Sequence, residues 1–184
     1  MMSAVKPHVL KAEDFWHVPE TRMRRALVRG EVMEALPPGG RQGVMASELT
    51  TRLRLWAKSG PGGCVGVESG FMLTRDPDTV RGPEVLYVRA ERMPHPGIPE
   101  SYWEQPPDLA VEIVSPNASA NAVHEQVRDY RAAGTSLVWV ISPRTQKVVV
   151  HTPDGLARTY SRQDTLTHET ILPEFTCVIA ELFA

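Results

Sequence analysis

Glu112 lies in the apolar run Leu109-Ala110-Val111-Glu112-Ile113-Val114. An ionised carboxylate buried alone in such a run costs several kcal/mol, at order-of-magnitude level, so it needs a cation, a metal or a proton. A buried ion pair or a strand end reaching water would also answer that need. A second acid, Glu84, follows Pro83 and opens another apolar run, Val85-Leu86-Tyr87-Val88. Neighbouring strands run about 4.8 Å apart, so Glu84 and Glu112 on adjacent strands could share one divalent ion. Mg²⁺ takes oxygen ligands and fills the rest of its octahedron with water. Asp108 shares a strand face with Glu112. It stands about 13 Å along the strand, too far to ligate the same small ion, and reads as the residue where the strand begins.

Glu68 is the third acid in a strand-like pattern, Val65-Gly66-Val67-Glu68-Ser69-Gly70-Phe71. It reads either as an edge-strand charge that discourages aggregation or as a further site acid. Gln126 borders the apolar stripe Val123, Val127, Tyr130 of a predicted helix. From there it points back toward the end of the Glu112 strand, within reach of an anion or a metal-bound water. A solvated helix flank is the plainer alternative.

The elements that position these residues follow from periodicity and punctuation. Leu10 to Val18 predicts a short helix, and Met23 to Leu36 two strands around Arg29-Gly30. Met45, Leu49, Leu53 and Trp56 share one face of a helix over Val44 to Lys58, which Gly60-Pro61-Gly62-Gly63 stops. Cys64 to Leu73 and Val80 to Arg89 predict two strands joined at Asp76-Pro77-Asp78. Met93 to Pro107 carries five prolines and predicts a long loop between strands, with Tyr102 and Trp103 as exposed aromatics for a dimer interface. Leu109 to Val114 predicts a central strand buried on both faces. Ala120 to Ala133 predicts a helix closed by Gly134. Leu137 to Ile141 and Lys147 to His151 predict strands, and Val178 to Phe183 a short apolar tail segment. The sum is one mixed α/β domain, 1–184, built on one central sheet. Residues 1–9 are expected to form a flexible extension.

Composition narrows the function. The 184 residues are 42% hydrophobic and 23% charged, enough for a core, with a net charge of -2. A chain-wide basic field for nucleic acid is therefore absent, and a local groove from Arg81, Arg128, Arg131 and Arg41 is the remaining option. No apolar run reaches the roughly 18–20 residues of a membrane span, and Met1 to Lys11 lacks a signal-like core. A cytoplasmic protein with no membrane partner is expected. Cys64 and Cys177 have no metal-ligand spacing, the six histidines no zinc spacing, and there is no phosphate loop or nucleophile elbow.

Arg81-Gly82-Pro83-Glu84-Val85 and Pro107-Asp108-Leu109-Ala110-Val111-Glu112-Ile113-Val114-Ser115-Pro116 resemble the core motifs of the Uma2 family, also called DUF820, of the PD-(D/E)XK nuclease superfamily. Leu27-Val28-Arg29-Gly30-Glu31-Val32 resembles its early hairpin. Tyr130 to Gly134 with Trp139-Val140 resembles its helix-to-strand segment. Asp164-Thr165-Leu166 and Leu172 to Phe183 resemble its C-terminal signature. The resemblance implies a restriction endonuclease-like fold, a central mixed sheet flanked by helices. It implies a Mg²⁺- or Mn²⁺-dependent endonuclease that hydrolyses phosphodiester bonds in nucleic acid, DNA in the first instance, as a homodimer. By the same resemblance Glu84 and Glu112 are the metal-binding acids, Glu68 an accompanying acid, and Gln126 stands where the lysine has moved onto the helix. The chain departs from the family pattern with Glu for Asp at 84, Gln for Lys at 126, Gln42 at a frequent histidine and Ser142 at a frequent acid. Those departures carry the alternative: a catalytically degenerate nuclease fold acting as a nucleic-acid-binding or dimeric interaction module.

Overall fold

The computed structural model describes residues 9–19 and 21–184, so all but the last position of the expected extension lies outside the described residues. The chain begins with α1 (Ala12–Trp16), the hairpin β1 (Arg24–Val28) and β2 (Glu31–Ala35), and α2 (Gly40–Ser59). Four strands follow: β3 (Cys64–Gly66), β4 (Phe71–Thr74), β5 (Thr79–Arg81) and β6 (Val85–Val88). Next come β7 (Leu109–Ile113), α3 (Ala120–Ala132), β8 (Leu137–Ser142), β9 (Lys147–His151) and β10 (Ala157–Tyr160). The hairpin β11 (Thr165–His168) and β12 (Leu172–Val178) and the short α4 (Ile179–Leu182) complete it.

The central sheet has six strands in the order β10-β9-β8-β7-β6-β3. It is mixed: β7 and β8 run parallel through the α3 crossover, and the other neighbours are antiparallel. All five residues of β7 are buried, because both faces of the sheet are covered. Leu109, Val111 and Ile113 face a core shared with Met45, Leu49, Leu53 and Ala57 of α2. Ala110 faces the opposite core, with Val127 and Tyr130 of α3. Strand alternation therefore aims Glu112 at α3. Each fully buried leucine of these layers contributes about 1.5–3 kcal/mol.

The single expected sheet is joined by a four-stranded sheet, β2-β1-β5-β4, and by the β11–β12 pair. The reason is a bend. Cys64 to Leu73 and Val80 to Arg89 do not run as two unbroken strands. They form one long hairpin whose inner half, β4–β5, belongs to the four-stranded sheet and whose outer half, β3–β6, belongs to the central one. Gly82-Pro83 breaks one arm, since proline brings no N–H to a ladder. Glu68, with φ at 51°, bends the other. Both breaks lie side by side: the Glu68 N–H donates to the Pro83 carbonyl at 3.0 Å.

α2 starts four residues earlier than the apolar pattern predicts. The Gln42 side chain folds back to accept from the Gly39 N–H at 3.2 Å, which caps the helix where hydrophobicity carries no signal. α3 begins at Ser119, whose hydroxyl accepts from the Ala122 N–H, and ends before Gly134 at φ 99°. β10, β11 and β12 lie outside the sequence expectation. β10 is an exposed edge, and Glu174 in the left-handed region interrupts the alternation of β12.

The proline-rich segment is the expected long connection between β6 and β7. Trp103, however, is 3% exposed, not a surface aromatic. Its ring stacks on Phe71 at 5.6 Å, and its backbone bonds Gly70 and Met72 as an added strand would. Asp108 sits at the start of β7, fully buried. It accepts from the Arg89 N–H and Nε and from Arg92 Nη1 at 2.8–2.9 Å. Among the described residues no helix is long and apolar enough to cross a membrane.

Candidate active site

Register sets the site. β6 pairs with β7 through Val85↔Val111, Leu86↔Ala110 and Tyr87↔Leu109. One step further, this antiparallel register puts Glu84 opposite Glu112. Both are buried, at 7% and 5% exposure. Glu84 lies just after the Gly82-Pro83 break, where the chain enters the central sheet.

The two carboxylates differ in their partners. Glu84 Oε1 accepts from Arg24 Nη1 of β1 at 2.8 Å, and Oε2 from the Ile113 N–H at 3.0 Å. Glu112 Oε2 accepts from Gln126 Nε2 at 2.8 Å, whereas Oε1 is buried with no partner. The Tyr130 hydroxyl is likewise buried and unpartnered. Burial pushes the Glu112 carboxyl well above the ordinary carboxylate range, and the neighbouring Glu84 charge pushes it further. Burial and the Glu112 charge raise the Tyr130 phenol in the same way.

Glu84, Glu112 and Gln126 thus come together. Gln126 reaches its target from the flank of α3, as the stripe Val123, Val127, Tyr130 predicts. Glu68 stands in the bend between sheets rather than in a strand. It is half-exposed and touches the site only through Arg24, whose Nε is 3.5 Å from Glu68 Oε1. Three arginines of the expected groove are engaged elsewhere. Arg81 is held by Asp129 at 2.7–2.8 Å, Arg128 lies near Glu125 at 3.8 Å, and Arg41 lines a separate cavity between α2 and α4.

Two polar neighbours escape the sequence reading. Arg24 belongs to a hairpin that is far away in sequence, and no local pattern marks it. Gln42 donates from Nε2 to the Ile113 carbonyl at 2.7 Å, while the N–H of the same residue donates to Glu84. The two peptide groups that flank the Ile113 Cα are therefore each held by a side chain. The place of Gln42 at a frequent family histidine was the available signal.

A divalent cation fits this donor set. Two carboxyl groups face each other across one strand spacing, and Glu112 offers a buried, unpartnered oxygen that a cation would satisfy. No group of three Asp, Glu, His or Cys ligands occurs among the described residues. Glu84 and Glu112 would thus hold the ion, with water and substrate oxygens in the other positions, as Mg²⁺ accepts.

Residues 12–180 match the Uma2 family, described as "Putative restriction endonuclease". No curated protein matches the chain. Among solved structures, the chain is similar to "a putative nuclease belonging to DUF820" from Anabaena variabilis. Identity is 20% and the TM-score 0.83, over 95% of this chain and 97% of that one.

Proposed function

The chain belongs to the Uma2 family, and from that premise we propose that it is a divalent-metal-dependent endonuclease hydrolysing phosphodiester bonds in nucleic acid. The observation that carries the reading is the buried pair Glu84 and Glu112, with Glu112 Oε1 unpartnered. Glu84 and Glu112 hold the cation, Mg²⁺ or Mn²⁺. When bound, such a cation supplies Lewis acidity to a phosphoryl oxygen and lowers the pKa of water. Gln126 fixes the Glu112 carboxylate by its 2.8 Å bond. Arg24 fixes Glu84 and is, among the described residues, the guanidinium hydrogen-bonded to the pair. Gln42 and Glu84 together hold the Ile113 backbone, through its C=O and its N–H, so the strand end that carries Glu112 is fixed. The protein acts in the cytoplasm, on DNA in the first instance, and as a homodimer. Sedimentation of a monomer at micromolar concentration would remove the last point.

A second reading has one observation in its favour. Arg24 already gives Glu84 a counter-charge, and Gln126 brings no charge of its own. A nuclease fold so neutralised would bind nucleic acid without cutting it. Calorimetric titration with Mn²⁺ and Mg²⁺ separates the two. Binding in the wild type that is lost in both Glu84→Ala and Glu112→Ala supports the nuclease. No binding at millimolar metal leaves the binding module.

A further inference from the structure

A second cavity, of about 310 Å³, opens between α1, the proline-rich segment and the four-stranded sheet, with Glu68 in its wall. Phe15 and Trp16 of α1 and Tyr102 of the proline-rich segment form its aromatic side. The Tyr102 ring stacks on Phe15 at 6.2 Å and meets the Trp16 ring edge-on at 5.1 Å. Tyr102 lies over Gly70 so closely that a Cβ there would come within 2.5 Å of its ring. Trp16 is 48% exposed although three other tryptophans are buried or half-buried. An indole left half in water beside two further rings is a stacking platform. Arg25 lines the same cavity and is tethered by the Pro19 carbonyl at 2.7 Å, which presents a fixed cation at the rim.

The cavity meets the surroundings of the carboxylate site at Glu68, on the corner between the two sheets. Glu68 lines the cavity and lies 3.5 Å from Arg24, which holds Glu84. Gly82 lines it two residues before Glu84. Aromatic faces and a guanidinium at the rim suit a planar base, and a cation held by the neighbouring acids would take its phosphate. A cavity this small takes one base and not a stacked pair.

We propose that this aromatic cavity receives one unpaired nucleobase of a nucleic-acid strand whose adjoining phosphate lies at Glu84 and Glu112. The preferred substrate is thus a single strand, or a duplex from which one base has been turned out. This rests on the nuclease-fold reading above and adds the substrate class.

The test is tryptophan fluorescence and affinity in Ca²⁺ in place of Mg²⁺, with a short oligothymidylate and a hairpin duplex, both with cleavage-resistant backbones, as probes. Trp16 is the accessible indole, so stacking quenches its emission. Expected are quenching by the single strand, tighter binding of the single strand than of the duplex, and a loss of about tenfold or more in Trp16→Ala. Trp16→Phe keeps a ring at an exposed position and is expected to restore affinity to within about threefold. Unchanged affinity in Trp16→Ala, or a preference for duplex, overturns the base cavity while the nucleic-acid reading stands. Failure of the wild type to bind either probe overturns both. Loss of self-association in Trp16→Ala would show that a second copy covers the cavity, and also overturns the proposal.

Discussion

Glu84 and Glu112 face each other across β6 and β7, yet only Glu84 has a donor on each carboxylate oxygen. The asymmetry places the strain of the pair on Glu112. Burial and the Glu84 charge both disfavour its ionised form, and Gln126 answers only one of its oxygens.

That strain makes stability pH-dependent. Glu112 titrates higher folded than unfolded. As pH rises above the ordinary carboxylate range, the unfolded chain releases this proton before the folded one does. The unfolded state then binds fewer protons, so stability falls with rising pH through that window. Urea unfolding in EDTA should show this fall in the wild type and a flatter profile in Glu112→Gln. Saturating Mn²⁺ should restore the wild type at high pH and leave Glu112→Gln unmoved. Parallel profiles for the two proteins would contradict the assignment.

Gln126→Lys places a cation within reach of Glu112. If the site cleaves nucleic acid, this charge should raise turnover, up to about 10²–10³-fold, the usual worth of a group that stabilises developing negative charge. Plasmid nicking in Mg²⁺ measures it. A variant that binds metal as the wild type does but cuts no faster would show that charge at this position is not what limits the reaction.

Asp108 offers a control on the same strand. It is fully buried between Arg89 and Arg92, at the opposite end of β7 from Glu112. Asp108→Asn should cost about 3 kcal/mol, at the low end for a broken buried pair because both arginines are partly solvated. Chemical denaturation should register that loss while Mn²⁺ binding by the folded variant is retained. Loss of metal binding in a still-folded Asp108→Asn would mean the two ends of β7 are coupled.

The two cysteines should behave differently. Cys177 is 1% exposed, and burial pushes its thiol up to about 11. Cys64 is half-buried, its thiol also raised by burial. A thiol reagent at neutral pH should modify Cys64 slowly and Cys177 only on unfolding. Two equally fast thiols in the native protein would contradict the packing of β12.

The sequence by itself determined the strands that carry the acids and the helix that carries Gln126. A carboxylate inside Leu109 to Val114, and another opening Val85 to Val88, are local anomalies that need no neighbours to be noticed. The α3 stripe likewise aims Gln126 from spacing alone, and the motif order around Glu84 and Glu112 marks the family.

Tertiary structure decided what no local pattern encodes. Whether Glu84 meets Glu112 depends on antiparallel register, a property of two strands together. That Arg24 neutralises Glu84 depends on a hairpin 60 residues away closing over the bend. Gly82-Pro83 is a break that sequence can show, but that it pairs with Glu68 to turn one hairpin from one sheet into another is visible only in the fold. Trp103 reads as exposed among its prolines, yet Phe71 of β4 covers it. Local chemistry thus chose the acids and the secondary structure, and long-range pairing chose their partners. A side chain's charge environment is the sum of everything folded around it.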